Sequence, residues 1–285
     1  MASRDYLDFQ RQRAEEAIAR FLDKADLSPT PLADAVRHAV IPGGKRIRPV
    51  ITLAASEAVA TNDGDPDAAL AAAVAIELLH SYTLVHDDLP AMDNSPMRRG
   101  QPSVHAKFGE ANAVLAGDAL QALAFSAIAA PSSLPPARAI RLAQVLSRAA
   151  VGVVRGQTED LSASPLDEPR LGFILAHKTG DLFSAAAELG AIAGGAPDDE
   201  VASLATFGAE LGMAFQIIDD IFDVPSDPNA APEPSSCLRI WTPDKARSMA
   251  AFHTREAVAH LMDIPGTPAS AALSDLAESL LARIE

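Results

Sequence analysis

Two long apolar segments that end in clusters of aspartate constrain the fold of this chain more than any other feature. Residues 67–85 are nearly all small and apolar, and Asp87 and Asp88 follow them after one residue, His86. Residues 199–222 are similar, and they end in the motif DDIFD, which begins at Asp219. Neither segment shows the alternating pattern of a strand, so each predicts a buried helix that carries carboxylates at one end.

Carboxylates in these positions repel one another unless a ligand neutralises them. Asp219 and Asp223 are four residues apart, which places them on one face of a helix, roughly 5–6 Å apart at Cβ. Asp93 follows Asp87 by six residues, and Pro90 between them is expected to break the helix and could return Asp93 to the same side. A divalent cation would relieve the repulsion, and Mg²⁺ commonly binds through one or two carboxylates together with substrate phosphates.

The composition excludes several classes of function. With a formal net charge of −15 and a pI near 4.8, the chain lacks the basic face that nucleic acids require. The single cysteine, Cys237, excludes an internal disulfide and fits a reducing cytoplasm. The first 21 residues are too charged for a signal peptide, and no uncharged apolar run reaches about 18 residues, so no membrane span is expected.

A group of cations follows a glycine turn in PGGKRIRPV, residues 42–50. Lys45, Arg46 and Arg48 stand within four positions of an otherwise acidic chain, which favours anion capture. Glycine lets the backbone approach a ligand closely, and an arginine can grip two phosphate oxygens at once. A helix N-terminus with solvated basic residues explains the same pattern.

The rest of the sequence predicts helices separated by proline-rich breaks, with no hairpin signal. We therefore expect a single all-α domain over residues 1–285, a bundle of ten or more helices, with an irregular segment at about 225–243. Lys178 lies in an apolar helical setting and needs a partner there, and a structural pair with the nearby Asp181 is one possibility. His80, two turns before Asp87, is either a satisfied core residue or a ligand.

These motifs resemble those of the trans-prenyltransferases, the (E)-isoprenyl diphosphate synthases. GGKRIRP, HSYTLVHDDLPAMD, MRRG, KTG and FQIIDDIFD match that family in order and spacing over residues 40–224. The two-residue insertion in DDLPAMD is similar to the bacterial short-chain type, close to farnesyl diphosphate synthases. The resemblance implies an isoprenoid synthase-type helical bundle and a homodimer, with both Asp motifs facing a central cavity.

The resemblance also implies a role for each motif residue. The ligands of more than one Mg²⁺ ion would be Asp87, Asp88, Asp93, Asp219, Asp220 and Asp223. The residues that bind isopentenyl diphosphate would be Lys45, Arg48, His80 and Arg99. The residues that contact the allylic diphosphate would be Arg98, Lys178 and Gln216. Thr179 and Gln216 would place oxygens near the developing carbocation, so Lys178, Thr179 and Gln216 are the predicted catalytic residues.

Product length is predicted to depend on Tyr82, five residues before Asp87, and on its neighbour Thr83. Helical side chains lean toward the N-terminus, so the Tyr82 ring would cap the growing chain and limit it to a short product, farnesyl diphosphate. An ordinary packed tyrosine is compatible with the same position.

One segment departs from the family pattern. The family carries glycine–lysine pairs after the second Asp motif that close over the diphosphate, but residues 225–243 contain neither residue type. Arg239 could substitute, or turnover could be low. Besides a prenyltransferase, the sequence therefore leaves open a catalytically weak member acting as a binding or regulatory subunit. A terpene cyclase is the third hypothesis, but GGKRIRP argues against it because a cyclase needs no second diphosphate pocket.

Overall fold

The computed structural model describes residues 2–131, 134–162, 165–223 and 234–284. Within these ranges the helices are α1 Ser3–Lys24, α2 Thr30–Val40, α3 Ile47–Ala58, α4 Pro66–Asp87, α5 Val104–Phe108, α6 Glu110–Ala129, α7 Pro136–Asp160, α8 Glu168–Ile174, α9 Asp181–Gly194, α10 Asp198–Phe222, α11 Pro243–His260 and α12 Pro268–Leu281. A π-helical segment, Leu175–Gly180, joins α8 to α9, and 3₁₀ turns lie at Cys237–Arg239 and Leu261–Asp263. The all-α prediction is confirmed.

One short hairpin forms although the sequence carries no hairpin signal. Met97–Arg98 (β1) pairs with Gln101–Pro102 (β2) in an antiparallel ladder just after the first Asp motif. Arg99 and Gly100 form its turn with φ angles of 53° and 75°. Positive φ at both turn residues is what a tight two-residue hairpin requires. The ladder is too short to give an alternating sequence pattern, but it directs both arginines of MRRG.

Helix α4 is the central element of the bundle, and it packs against α3, α6 and α9. The Asp65 side chain accepts hydrogen bonds from the backbone N–H groups of Asp67 and Ala68, and Pro66 occupies the first helical position, so the start of α4 is well capped. The helix ends at Asp87, before Pro90, as expected. Its apolar residues are buried along most of its length, which places the carboxylates of its last turn inside the bundle.

Three helices are long and apolar enough to cross a membrane by length and composition alone. They are α4, α6 and α10, and 72%, 39% and 50% of their most apolar windows are buried inside this fold. The expectation of no membrane span is therefore not confirmed and remains a proposal.

The irregular segment expected at 225–243 lies partly outside the described residues, which omit 224–233. From residue 234 onward the chain makes a turn and the 3₁₀ turn Cys237–Arg239, and α11 begins at Pro243. This part of the chain lies against the end of α10, next to the second Asp motif.

Candidate active site

A cavity of about 530 Å³ lies between α3, α4, α7, the π-helical segment and α10. It brings together charged and polar residues that are far apart in the sequence. Its polar lining comprises Lys45, Arg46, Arg48, Glu77, His80, Thr83, Asp87, Arg98, Arg99, Lys178, Thr179, Gln216 and Asp219. Eleven of the predicted site residues therefore share one cavity, here called the main chamber.

A second chamber of about 400 Å³ adjoins the first, because Lys178 and Gln216 line both. Its acidic lining consists of Asp93, Asp160, Asp220 and Asp223. Both Asp motifs thus contribute to both chambers: Asp87 and Asp219 to the main one, and Asp93, Asp220 and Asp223 to the second. The prediction that the two motifs face a shared cavity agrees with this arrangement.

In the first Asp motif, one aspartate lines the cavity and the next one binds a side chain of the protein. Asp87 lies in the main chamber, where burial raises its pKa to about 6, with Lys178 opposing the shift and Asp93 adding to it. The turn after α4 is closed by the Asp93 N–H, which donates to the Asp87 carbonyl at 2.9 Å. Asp88 is buried and accepts hydrogen bonds from Arg98 Nη2 at 2.6 Å and Nε at 3.0 Å. Asp88 therefore positions Arg98 and does not line either chamber.

In the second Asp motif, too, the two adjacent aspartates have different surroundings. Asp219 faces the main chamber, and burial raises its pKa while Lys45 and Arg283 work in the opposite direction. Asp220 accepts the backbone N–H of Cys237 at 2.7 Å and Gln216 Nε2 at 3.0 Å. Asp223 is exposed beyond the last turn of α10, at the edge of the second chamber.

The three cations at the start of α3, Lys45, Arg46 and Arg48, have different surroundings. Lys45 extends over the ring of Phe215 at 5.6 Å. Arg48 lies 4.5 Å from the centre of the Phe183 ring, and burial lowers its pKa to about 10. Arg46 has a left-handed backbone, with φ of 49°, and its buried side chain turns away from this pair. Lys45 and Arg48 are therefore the two members of the turn available to an anion.

Glu77 is a site residue that the sequence reading missed. This carboxylate is 2% exposed and forms an ion pair with the equally buried Arg46. Arg99 Nη2 lies 4.0 Å from the same carboxylate. Three residues later on α4, His80 lines the chamber, and burial together with Arg48 and Arg99 lowers its pKa well below the usual value. The sequence signal that could have identified Glu77 is a single glutamate inside an otherwise apolar helix.

Lys178 has the partner that its apolar setting required. Its ammonium pairs with Asp160 at the end of α7, whose carboxylate is 8% exposed. Burial opposes the charge of Lys178, but Asp160, Asp87 and Asp93 together raise its pKa. A Cβ on Gly156 would lie 2.2 Å from the Lys178 backbone nitrogen, so glycine permits the close contact between α7 and the π-helical segment. Short π-helical segments are frequent at functional sites.

Thr179 and Gln216 are joined directly. The Thr179 hydroxyl donates to Gln216 Oε1 at 2.8 Å, and the Gln216 amide donates in turn to Asp220. Both residues line the main chamber beside Lys178. This arrangement fixes which end of the Gln216 amide faces each neighbour.

Of the two predicted chain-length residues, only Thr83 lines the main chamber. The Tyr82 ring packs edge-on against His86, with a centroid distance of 5.0 Å. Burial and the nearby Asp87 and Asp118 raise the pKa of Tyr82.

The sequence of residues 29–235 matches the profile of the polyprenyl synthetase family. This chain belongs to that family. A farnesyl diphosphate synthase from Geobacillus stearothermophilus is 36% identical over 98% of this chain and 97% of its own length. Geranylgeranyl pyrophosphate synthase 7, chloroplastic, from Arabidopsis thaliana is 44% identical over 69% of this chain, which spans 58% of that protein. A geranyltransferase structure from Legionella pneumophila shares 33% identity with a TM-score of 0.88, covering 99% of this chain and 97% of that one.

The carboxylates of this site fit a magnesium–diphosphate ligand better than a metal held by protein alone. Within the described ranges, no three His, Cys, Asp or Glu side chains converge closely enough to hold a metal ion. The protein instead offers separated carboxylates at the border of two chambers. Because Mg²⁺ takes its remaining ligands from water and phosphate oxygens, this donor set suits an ion shared with a bound diphosphate.

Proposed function

We propose that this protein is a Mg²⁺-dependent prenyltransferase that condenses isopentenyl diphosphate with an allylic diphosphate. One observation carries the proposal: carboxylates from two distant helices and cations from the turn before α3 line adjoining chambers. An acidic protein with a formal charge of −15 has little other reason to collect cations in one cavity.

The charges suit the ionisation of an allylic carbon–oxygen bond, which leaves an allylic cation and a trianionic diphosphate. Lys178 lies where the two chambers meet, and Arg98 is held by Asp88, so both cations can stabilise the departing diphosphate without rearranging. Asp87, Asp93 and Asp219 would hold Mg²⁺, which would neutralise further diphosphate charge. The Thr179 and Gln216 oxygens, fixed by their mutual hydrogen bond, would lie near the developing carbocation.

A second diphosphate pocket distinguishes this proposal from a cyclase. Arg48 and Lys45 are directed into the main chamber, and Arg99 borders it. Burial, together with these cationic neighbours, lowers the pKa of His80. Buried Arg48 Nε has no hydrogen-bond partner in the described part of the chain, so this guanidinium can bind an anion by donating hydrogen bonds to it. A cyclase acts on one diphosphate and needs no such second group of cations.

Farnesyl diphosphate is the product we propose. The relatives carry different product names, including farnesyl diphosphate synthase, geranylgeranyl pyrophosphate synthase and decaprenyl diphosphate synthase, so their names support only the wider class. Support for a short product comes from Thr83, which lines the main chamber about one helical turn before Asp87, where a chain growing beneath Asp87 would meet it.

We also propose that the protein works as a homodimer in the cytoplasm. Apolar residues on α6 and α7 that are at least 41% exposed support a partner surface: Val114, Leu115, Ile140, Val151 and Val154. An open groove of about 820 Å³ runs between α7 and α9 beside this surface. Exposed apolar side chains on two neighbouring helices are typical of a protein–protein contact.

The decisive experiment is a product assay with isopentenyl diphosphate, dimethylallyl or geranyl diphosphate and Mg²⁺. Elongated prenyl diphosphate, identified by mass spectrometry, is the expected result. Arg48→Met should raise KM for isopentenyl diphosphate while leaving KM for the allylic substrate close to that of the wild type. A cyclic hydrocarbon would point to a cyclase. No product from the purified protein, together with activation of an added synthase, would favour the regulatory subunit.

A further inference from the structure

We infer that Asp220 is a positioning residue that tethers residues 234–241 to α10 and orients Gln216, and that it is not a metal ligand. The role of Gln216 in this inference rests on the proposed function, whereas the tether itself does not. The two carboxylates of each Asp-Asp pair then have different tasks, and Asp219 alone of its pair faces the main chamber.

Both carboxylate oxygens of Asp220 accept hydrogen bonds from groups of the protein. Oδ2 accepts the Cys237 backbone N–H at 2.7 Å, and Oδ1 accepts Gln216 Nε2 at 3.0 Å. The Cys237 thiol is hydrogen-bonded to the same carboxylate. Hydrogen bonds to an ionised acceptor are shorter and stronger than neutral ones, so these contacts compete directly with metal coordination.

The contact to Gln216 continues across the site. Because a carboxylate only accepts, the Gln216 amide must present its nitrogen to Asp220 and its oxygen to the Thr179 hydroxyl. Thr179, Gln216, Asp220 and Cys237 therefore form one hydrogen-bonded chain from the π-helical segment to the 3₁₀ turn. Loss of Asp220 would free the Gln216 amide to rotate.

The tethered segment forms a wall of the second chamber. Pro234, Ser235 and Ser236 line this chamber together with Asp220, and Cys237 is fully buried. The far end of the segment is fixed independently, because Trp241 Nε1 donates to Glu168 at 3.2 Å. Asp220 thus anchors one end of the wall and Glu168 the other.

Cys237 is the only cysteine of the chain, so its reactivity reports directly on the tether. The test measures the rate at which a thiol-specific aromatic disulfide labels the whole purified protein, without substrate, for the wild type and for Asp220→Ala, Asp220→Asn and Asp219→Asn. Asp220→Ala should label at least about tenfold faster, which corresponds to about 1.4 kcal/mol of local opening free energy. Asp220→Asn keeps an acceptor for the Cys237 N–H and should stay within about threefold of the wild type.

A Mg²⁺ titration of prenyl transfer separates the tether from a metal ligand. Asp219→Asn should raise the Mg²⁺ concentration for half-maximal activity and leave Cys237 labelling unchanged. Asp220→Asn should lower kcat without moving that concentration, whereas an upward shift comparable to that of Asp219→Asn would overturn the inference. Unchanged labelling in Asp220→Ala, with thermal unfolding confirming the fold, would also overturn it. The labelling result holds even if the product assay finds no activity, so failure of the tether and failure of the proposed function are distinguishable.

Discussion

Replacing Glu77 by glutamine tests whether one buried carboxylate holds the cationic turn in place. Glu77 and Arg46 form an ion pair in which each side chain is 2% exposed. Arg46 also donates to the Val40 carbonyl at 2.6 Å, which links α2, the turn and α4. The glutamine variant keeps the shape of the side chain and one acceptor oxygen but removes the charge.

The expected loss of stability is large for a single substitution. Breaking a buried ion pair at one partner leaves the other charge uncompensated and costs about 3–5 kcal/mol. An unfolding entropy of about 2.1 cal/mol/K per residue gives roughly 0.6 kcal/mol/K for a chain of this length. Glu77→Gln should therefore lower Tm by about 5–8 °C.

Urea and thermal unfolding of five variants measure this loss: Glu77→Gln, Glu77→Leu, Arg46→Met, the double variant of the last two, and Arg11→Ala. The double variant Arg46→Met/Glu77→Leu removes both charges and should be far closer to the wild type than either single change, because buried pairs can often be replaced by apolar residues at little cost. Arg11→Ala is the matched surface control, since the Arg11–Asp8 pair is exposed and its loss should cost less than about 1 kcal/mol. A loss below about 1 kcal/mol in Glu77→Gln, or single effects that simply add in the double variant, would refute the reasoning.

Three further predictions concern the site. Asp160→Asn removes the counter-ion of Lys178 and should lower kcat by about tenfold in steady-state assays, less than the ~100-fold expected for Lys178→Ala; equal kcat values for Asp160→Asn and wild type would count against it. Thr83→Phe should shorten the products identified by mass spectrometry, because Thr83 borders the main chamber, and an unchanged distribution would exclude this position as the limit. His80 has a folded-state pKa below its unfolded value, so its stabilising contribution is present above pH 6.5 and is lost as the pH falls. Between pH 6.5 and 5.5 the wild type should lose about 1 kcal/mol more unfolding free energy than His80→Gln, and equal losses would contradict this.

Much of this architecture could be predicted because it depends on local patterns of apolar and charged residues in the sequence. Long apolar segments without alternation predict buried helices, and α4 and α10 lie within two residues of the expected boundaries. The cationic turn was predicted from composition, since a group of basic residues in an acidic chain needs an acidic or anionic partner. Lys178 was singled out for the same reason, and Asp160 supplies that partner.

The remainder depends on contacts between distant residues, which no local pattern records. Glu77 looks like a single interruption of an apolar helix, and its importance arises only because the turn before α3 brings Arg46 to it. The hairpin at Met97–Pro102 escapes notice because two residues per strand are too few to alternate. Arg46 carries the same charge as its neighbours, but its left-handed backbone turns it inward.

Neighbouring residues of one motif differ in role because successive side chains on a helix are rotated by about 100°. Asp87 and Asp219, the first of each pair, therefore face the main chamber, whereas Asp88 and Asp220 face protein donors on Arg98 and Cys237. A sequence motif written as two adjacent aspartates does not distinguish these positions. The same rotation separates Tyr82 from Thr83, so that only the smaller side chain borders the chamber. In this site the number of carboxylates is consequently a poor guide to the number that face the main chamber, and the second aspartate of each pair supports the residue that it holds.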